Sequence, residues 1–181
     1  MAKGKELIRF SLELVIIVAV TATVCTKIVV PVKIQGDSMY PTLHDKDTLI
    51  VNKLYLNRSD IKRFDIVVLM SNKLNQDIIK RVIGLPGDNI VFKDDKLYIN
   101  GTYYVEDYLD KDYIEEAKEK YNAKLFTEDF EITLDNDEIF VLGDNRLRSS
   151  DSRTLETFKY SDIIGKKGIV IFPLKNMKFV E

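Results

Sequence analysis

The sequence contains only one cysteine, Cys25, and only one histidine, His44. A single cysteine excludes an intramolecular disulfide, and so few thiol and imidazole groups exclude clustered Cys/His zinc sites. Cys25 stands among Val, Thr and Ile residues, which favours a small buried hydrophobe over a reactive thiolate. Zinc-site and cysteine-nucleophile chemistry are therefore not expected of this chain.

The chain also lacks an excess of charge of either sign, with 27 Lys and Arg, 29 Asp and Glu, and a formal net charge of −2. Its charges are interspersed without long basic runs, so nucleic acid is not an expected partner. A length of 181 residues with 45% hydrophobic and 31% charged residues is ordinary for one globular domain.

A basic stretch, residues 1–11, precedes a mostly apolar run over residues 12–31. Roughly 20 residues are needed to cross ~30 Å of hydrocarbon, so Glu13 and Lys27 must then lie near the two interfaces. A cleaved secretory signal is one alternative, and a buried pair of strands is another because the run is rich in Val, Ile and Thr. No clear A-x-A-like cleavage site follows the run, which favours a retained helix.

Positive charge before the apolar run predicts a cytoplasmic N-terminus. We therefore predict a cytoplasmic tail at 1–11, a single transmembrane anchor at 12–31 and an extracytoplasmic domain at 32–181. The protein would be a single-pass protein of the cell membrane.

The extracytoplasmic part consists of short apolar runs separated by turn residues, a pattern typical of strands. The runs are Thr48–Val51, Asp65–Leu69, Ile78–Ile83, Asn89–Phe92, Leu97–Ile99, Ile139–Leu142 and Ile169–Phe172. Many short strands with little helix predict a mainly β, antiparallel, barrel-like domain. An acidic insertion at about 102–137 interrupts the pattern, and a capping box from Asp112 to Glu115 predicts a helix through Tyr121.

Ser38 lies in Gly36-Asp-Ser-Met-Tyr-Pro-Thr-Leu43, where glycine and proline can display its hydroxyl on a tight turn. A serine nucleophile needs a base, and the only histidine, His44, lies in a polar stretch that resembles an exposed loop. Lysine can serve instead if burial keeps its amine neutral, which requires the pKa to fall by about three units from its usual ~10.4. Lys80 lies between Ile79 and Arg81-Val82-Ile83 in a predicted strand, although an outward-facing strand lysine would have the same sequence.

A third polar stretch follows the apolar run that ends at Leu142. It includes Asp144, Arg146, Asp151 and Arg153 beside several hydroxyl groups. Carboxylate–guanidinium pairs would stiffen such a loop, and a hydroxyl group from it could orient the lysine amine. A solvated surface loop is the alternative.

Together these stretches resemble the bacterial type I signal peptidases of the lysine type, in the same order along nearly the whole chain. They are the apolar N-terminal segment, Gly36 to Pro41, Asp47 to Lys53, Lys80-Arg-Val-Ile-Gly-Leu-Pro-Gly-Asp88, and Gly143-Asp-Asn-Arg146 to Asp151-Ser-Arg153. The resemblance implies a β-rich serine endopeptidase that cleaves signal peptides from exported preproteins after small residues at −1 and −3. It implies signal peptides and membrane lipid as partners, leaves room for the export machinery, and needs no metal or organic cofactor.

The resemblance also implies individual roles. Ser38 would attack the scissile carbonyl, Lys80 would take its proton, and Ser149 would orient the lysine amine. Asp144, Arg146, Asp151 and Arg153 would support the site, with Asp151 and Arg153 as a pair. Ile34, Met39 and Ile79 would line the pockets for small substrate side chains. The Ser38 N–H would be one oxyanion donor, while Gly36 occupies the position at which some relatives place a second donor.

Two other functions remain open. Self-cleaving repressors of the DNA-damage response share the serine–lysine chemistry but carry a DNA-binding domain where this chain has its apolar segment. A catalytically silent, membrane-anchored β domain would not need Ser38, Lys80 and Ser149 together.

Overall fold

The computed structural model describes residues 2–53 and 60–180, and in this part the chain is mainly β. The helices are α1 (Ala2–Lys27), α2 (Lys111–Tyr121) and α3 (Ser152–Leu155). The strands are β1 (Val29–Lys33), β2 (Thr48–Asn52), β3 (Ile66–Ser71), β4 (Gln76–Gly84), β5 (Asn89–Lys93), β6 (Lys96–Ile99), β7 (Thr102–Tyr104), β8 (Phe130–Thr133), β9 (Glu138–Leu142), β10 (Phe158–Lys159), β11 (Ile163–Phe172) and β12 (Lys178–Val180).

The strands form two antiparallel sheets. The larger has the order β1-β2-β11-β3-β4-β9-β10, with β12 paired to β11, and the smaller has the order β7-β6-β5-β8. Within the described residues neither sheet closes on itself, so the mainly β prediction is confirmed while the barrel-like closure is not found. Turn spacing predicts which strands are neighbours, but closure depends on the curvature of the whole sheet, which short runs do not encode.

The predicted strands are present, and β4 is an interior strand of the larger sheet. It pairs with β3 on one side and β9 on the other, and every residue from Ile78 to Gly84 is buried. Its apolar side chains belong to three different core clusters: Ile79 packs with Met39, Ile78 with Val82, and Ile83 with residues of the smaller sheet. A polar side chain on β4 is therefore held in an apolar environment.

The N-terminal segment is helical, but it ends earlier than predicted. Helix α1 ends at Lys27, and the last residues of the predicted anchor belong to strand β1, in which Val29 pairs with Asn52. β-branched residues favour this strand, and Pro31 is tolerated because β1 lies at the edge of the sheet. Among the described residues, no helix has both the length and the apolarity required to cross a membrane.

The insertion at 102–137 contains strands β7 and β8 as well as the predicted helix. Helix α2 is capped by Asp110, whose carboxylate accepts a hydrogen bond from the Tyr113 N–H at 2.9 Å, so the predicted cap, Asp112, lies inside the first turn. The helix ends at Tyr121 and is capped by Asn122, which adopts a left-handed conformation with φ of 50°. Ala117 packs with Leu109 and Phe126 of the same insertion, and Leu147 from the loop after β9 packs against this cluster.

Candidate active site

Ser38 lies in the turn segment between β1 and β2, with its side chain partly exposed. The next residue, Met39, is only 1% exposed and fixes the turn in the core. On the other side, Asn145 holds the backbone: its N–H donates to the Ser38 carbonyl and its Nδ2 to the Asp37 carbonyl, both at 3.1 Å. The turn is thus fixed from both sides while the hydroxyl group stays accessible.

Lys80 reaches this hydroxyl group from strand β4. Its Nζ donates to Ser38 Oγ at 2.8 Å and to the Ile79 carbonyl at 2.9 Å. Lys80 is only 3% exposed, so the structure supports the buried alternative and not an outward-facing strand lysine. The serine and lysine are 42 positions apart in the sequence and in direct contact in the fold.

Burial lowers the pKa of Lys80 from 10.5 to about 8, while the carboxylates of Asp151 and Asp144 act in the opposite direction. The direction is the one predicted, because an ammonium group loses its hydration inside an apolar environment. With a pKa of about 8, about a tenth of the amine is neutral at pH 7. The group can therefore accept a proton near neutral pH.

The other possible base, His44, has a different environment. Its side chain is 43% exposed, and its Nδ1 lies 3.7 Å from Asp47 Oδ2. The ring packs edge-on against Tyr40 with 5.2 Å between centroids. Within the described residues His44 makes no hydrogen bond to Ser38, so the geometry favours Lys80 as the partner of the serine.

Arg81 is a site residue that the sequence reasoning missed. Its guanidinium group binds Asp144 with two hydrogen bonds, Nε to Oδ1 at 2.8 Å and Nη2 to Oδ2 at 2.6 Å. The Asp144 carboxylate also accepts a hydrogen bond from Thr42 Oγ1 at 2.5 Å. This buried pair joins β4, the segment after Ser38 and the loop after β9. The sequence does contain a signal for this role, namely a second charged residue directly after Lys80 in a strand predicted to be buried. A buried guanidinium group needs an acidic partner.

Arg146 does not pair with Asp144, its neighbour in the sequence. It binds Glu106 through Nη2 at 2.5 Å and Thr127 Oγ1 through Nη1 at 3.0 Å. Both partners come from the insertion, which the sequence analysis treated as separate from the catalytic body. The insertion is therefore joined to the loop after β9 by an ion pair in which Arg146 is fully buried and Glu106 is 12% exposed.

Asp151 and Arg153 form the pair that the resemblance implied. Arg153 Nε donates to Asp151 Oδ1 at 2.8 Å and Arg153 Nη2 to Oδ2 at 2.9 Å. Asp151 Oδ2 also accepts a hydrogen bond from the Gly143 N–H at 3.0 Å. The carboxylate therefore ties the end of β9 to the loop that carries Ser149.

Ser149 is close to the turn between β1 and β2 that carries the predicted nucleophile Ser38, called the nucleophile turn below. The hydrogen bond expected between Ser149 and the Lys80 amine is not formed. Its Oγ is buried and has no hydrogen-bond partner among the described residues. Gly143 shows how close the segments are, because a Cβ added there would lie 2.2 Å from Ser149 Oγ and 2.4 Å from the Ser38 carbonyl oxygen. Only glycine fits at this position, and an orienting role for Ser149 stays a prediction.

The three predicted pocket residues lie together. Ile34, Met39 and Ile79 belong to one apolar cluster and are 6%, 1% and 9% exposed. Their contact with substrate stays a prediction.

The Ser38 N–H makes no hydrogen bond within the described residues, so it is free to serve as an oxyanion donor. The Gly36 N–H, by contrast, already donates to Asp45 Oδ1 at 2.9 Å. The second oxyanion donor therefore stays unassigned.

The chain matches the family model described as signal peptidase, peptidase S26, over residues 7–172. It is 42% identical to signal peptidase I P of Bacillus subtilis subsp. natto over 82% of this chain and 80% of that protein. It is 39% identical to signal peptidase I U of Bacillus subtilis (strain 168), over 92% of this chain and 88% of that protein. The crystal structure of a signal peptidase I from Enterococcus faecalis V583 superposes with a TM-score of 0.50 and 38% identity, covering 59% of this chain and 95% of that chain. With a buried lysine donating to a serine hydroxyl group and this extent of similarity, the chain belongs to the signal peptidase family, peptidase S26, a family of serine peptidases.

Proposed function

We propose that the chain is a membrane-anchored signal peptidase I that cleaves N-terminal signal peptides from exported preproteins with a Ser38–Lys80 dyad. The observation that carries this proposal is the 2.8 Å hydrogen bond between Lys80 Nζ and Ser38 Oγ, made by a lysine whose pKa burial lowers to about 8. Membership of the signal peptidase family supports the substrate class.

In the first step the neutral Lys80 amine takes the proton of Ser38 as Oγ attacks the scissile carbonyl carbon. The Ser38 N–H stabilises the oxyanion, and the C–N bond then breaks as the Lys80 ammonium protonates the departing amine. The product is an ester of Ser38 with the signal peptide and a new N-terminus on the mature protein. A water molecule, deprotonated by Lys80, then attacks the ester, and Ser38 regains its proton.

The arrangement of the site supports cleavage after small residues. As the resemblance to the family implies, we expect the side chains at −1 and −3 to contact the cluster of Ile34, Met39 and Ile79 and to be no larger than about that of alanine. Asp144, Arg146, Asp151 and Arg153 act indirectly by holding the loop after β9. Ser149 would orient Lys80 through a hydrogen bond to its amine.

A membrane location fits the reaction, because the cleavage site of a signal peptide lies just beyond its apolar run. Helix α1 presents apolar side chains such as Leu14 and Ile17, which are 52% and 60% exposed, and we propose that it anchors the chain with the N-terminus in the cytoplasm. From Val30 to Ser38 the chain spans at most ~29 Å, which keeps the nucleophile near the membrane surface. The exposed Phe172, Leu174 and Phe179 offer a second apolar surface for lipid contact.

The test is cleavage of a purified preprotein by the full chain in detergent, with Ser38→Ala and Lys80→Ala compared in parallel. Each variant should lose essentially all cleavage, since a dyad cannot work with one member. Circular dichroism should show that both remain folded. Normal cleavage by Lys80→Ala would contradict the dyad, and failure of the unsubstituted chain to cleave any preprotein would contradict the proposed substrate class.

A further inference from the structure

A pocket of about 270 Å³ lies beside the nucleophile turn, between that turn and helix α2. Asp37, Tyr40 and Asn145 form its wall on the side of the active site, and Glu116, Lys120 and Tyr121 form its wall on the side of α2. The two walls touch through the rings of Tyr40 and Tyr113, which meet edge-on with centroids 5.1 Å apart. This pocket has no role in the mechanism described above.

The pocket adjoins the turn that carries Ser38. Asp37 directly precedes Ser38, and Asn145 holds the carbonyl groups of both residues. Met39, in contrast, turns into the apolar cluster with Ile34 and Ile79, while Asp37 and Tyr40 line the pocket. The pocket and the apolar cluster therefore lie on different sides of the nucleophile turn.

We propose that this pocket binds the first residues of the mature protein, at positions +1 and +2 after the scissile bond. The inference rests on the proposed function: if the −1 and −3 side chains contact the apolar cluster, the chain beyond the scissile bond leaves on the other side of Ser38. Successive side chains of an extended peptide point in opposite directions, so one of these two positions faces the pocket.

The composition of the pocket specifies which substrate side chain it prefers. Its charged groups are two carboxylates, Asp37 and Glu116, against one ammonium group, Lys120. Three tyrosines, Tyr40, Tyr113 and Tyr121, add aromatic surface. A lysine or arginine of the substrate, with a long apolar stem and a cationic end, complements both features, whereas a carboxylate does not. Helix α2 thus makes the inserted segment a determinant of specificity.

The test uses one preprotein with a constant signal peptide and with Lys, Ala or Glu at +1 or +2. At the position that faces the pocket, the unsubstituted chain should cleave the Lys substrate about threefold or more faster in kcat/KM than the Glu substrate. Glu116→Lys should abolish or invert this ratio, and Glu116→Gln should reduce it. Cleavage of the Ala substrate should change little.

The matched control is Glu119→Lys, which places the same charge change on the same helix but outside the pocket. Its Lys-to-Glu ratio should stay close to that of the unsubstituted chain. A ratio that is unaffected by Glu116→Lys, or that moves equally in both variants, overturns the pocket proposal while leaving the proposed function intact. If no preprotein is cleaved at all, the proposed function fails, and the pocket proposal fails with it.

Discussion

Lys80 illustrates how the surroundings of one residue change its chemistry. In isolation a lysine amine is protonated at neutral pH and cannot accept a proton. Enclosure in β4 lowers the pKa of Lys80 to about 8, and the hydrogen bond to Ser38 Oγ aligns the amine with the hydroxyl group. The nearby carboxylates of Asp151 and Asp144 favour the charged ammonium form and limit this fall. The pKa of Lys80 therefore results from two opposing effects, burial and attraction by these carboxylates.

The first prediction concerns the pH dependence of cleavage. The active form is the neutral amine, whose fraction rises with pH until it levels off above a pKa of about 8. We therefore expect kcat/KM to rise about tenfold per pH unit well below pH 8 and to reach a plateau above it. The measurement is the initial rate of preprotein cleavage from pH 5 to pH 10.

Lys73→Ala provides the control for this profile, because Lys73 is an exposed lysine paired with Glu156 at 2.7 Å. Its profile should match that of the unsubstituted chain. A rate that is independent of pH, or that falls from acid to alkaline conditions, would contradict a lysine base.

At the scale of elements, the site is built where three segments meet. Strand β4 supplies Lys80 and Arg81, the turn after β1 supplies Ser38 and Thr42, and the loop after β9 supplies Asp144. The Arg81–Asp144 pair joins all three, and its side chains are only 5% and 0% exposed. Because both charged groups are removed from water, each one is stabilised mainly by the opposite charge of its partner.

The second prediction is that Asp144→Asn strongly destabilises the protein. Removing one partner of a buried ion pair leaves the other charge uncompensated, which costs about 3–5 kcal/mol in the free energy of unfolding. Because the same carboxylate fixes Thr42, four residues after the nucleophile, cleavage should also fall. Equilibrium unfolding by urea in detergent measures the first effect and the preprotein assay the second.

Asp137→Asn is the matched control, since Asp137 pairs with Lys159 at 2.7 Å on the surface, with side chains 44% and 60% exposed. An exposed pair of this kind contributes little to stability, because solvent screens both charges. Equal losses of stability in Asp144→Asn and Asp137→Asn would contradict this prediction, because they would show that burial does not increase the contribution of the Arg81–Asp144 pair to the free energy of unfolding.

At the scale of the whole molecule, the insertion is part of the catalytic body. Arg146 binds Glu106 and Thr127 of the insertion, while α2 faces the nucleophile turn through Tyr113. Strands β7 and β8 complete the smaller sheet, which packs on Ile83 and Leu142 of the larger one. The insertion therefore holds the loop after β9 and also forms one wall of the pocket that we propose for the substrate.

The third prediction concerns topology. The basic residues before the apolar run of α1 predict that the N-terminus stays in the cytoplasm and that the domain after β1 lies outside. A reporter active only outside the cytoplasm, fused after residue 181, should be active, and the same reporter fused before residue 1 should be inactive. A cytoplasmic reporter that is active at the C-terminus would contradict both the topology and the proposed function.

Several features could be predicted from the sequence because they depend on local pattern. The strand runs around Thr48, Ile66, Asn89 and Ile139 were predicted, because apolar residues bounded by turn residues have few other stable conformations. Strand β1 is not predicted from the sequence, because a Val-rich segment directly after an apolar helix resembles a continuation of that helix. The cap of α2 is Asp110 and not the predicted Asp112, because any aspartate before a helix can cap it and the capping-box spacing of Asp112 and Glu115 does not decide where the helix begins.

The sequence by itself determined the mainly β class, because apolar periodicity is a local property of the chain. Its motifs also carried the resemblance to the family, and that resemblance made Ser38 and Lys80 the candidate catalytic residues. Only the tertiary structure decided that Lys80 Nζ meets Ser38 Oγ, that Asp144 pairs with Arg81 and not Arg146, and that α2 forms a pocket beside the nucleophile. These contacts join residues far apart in the sequence, and burial selects their partners. The tertiary structure also decides the pKa of Lys80, because the desolvation that lowers it comes from strands that meet only in the folded protein.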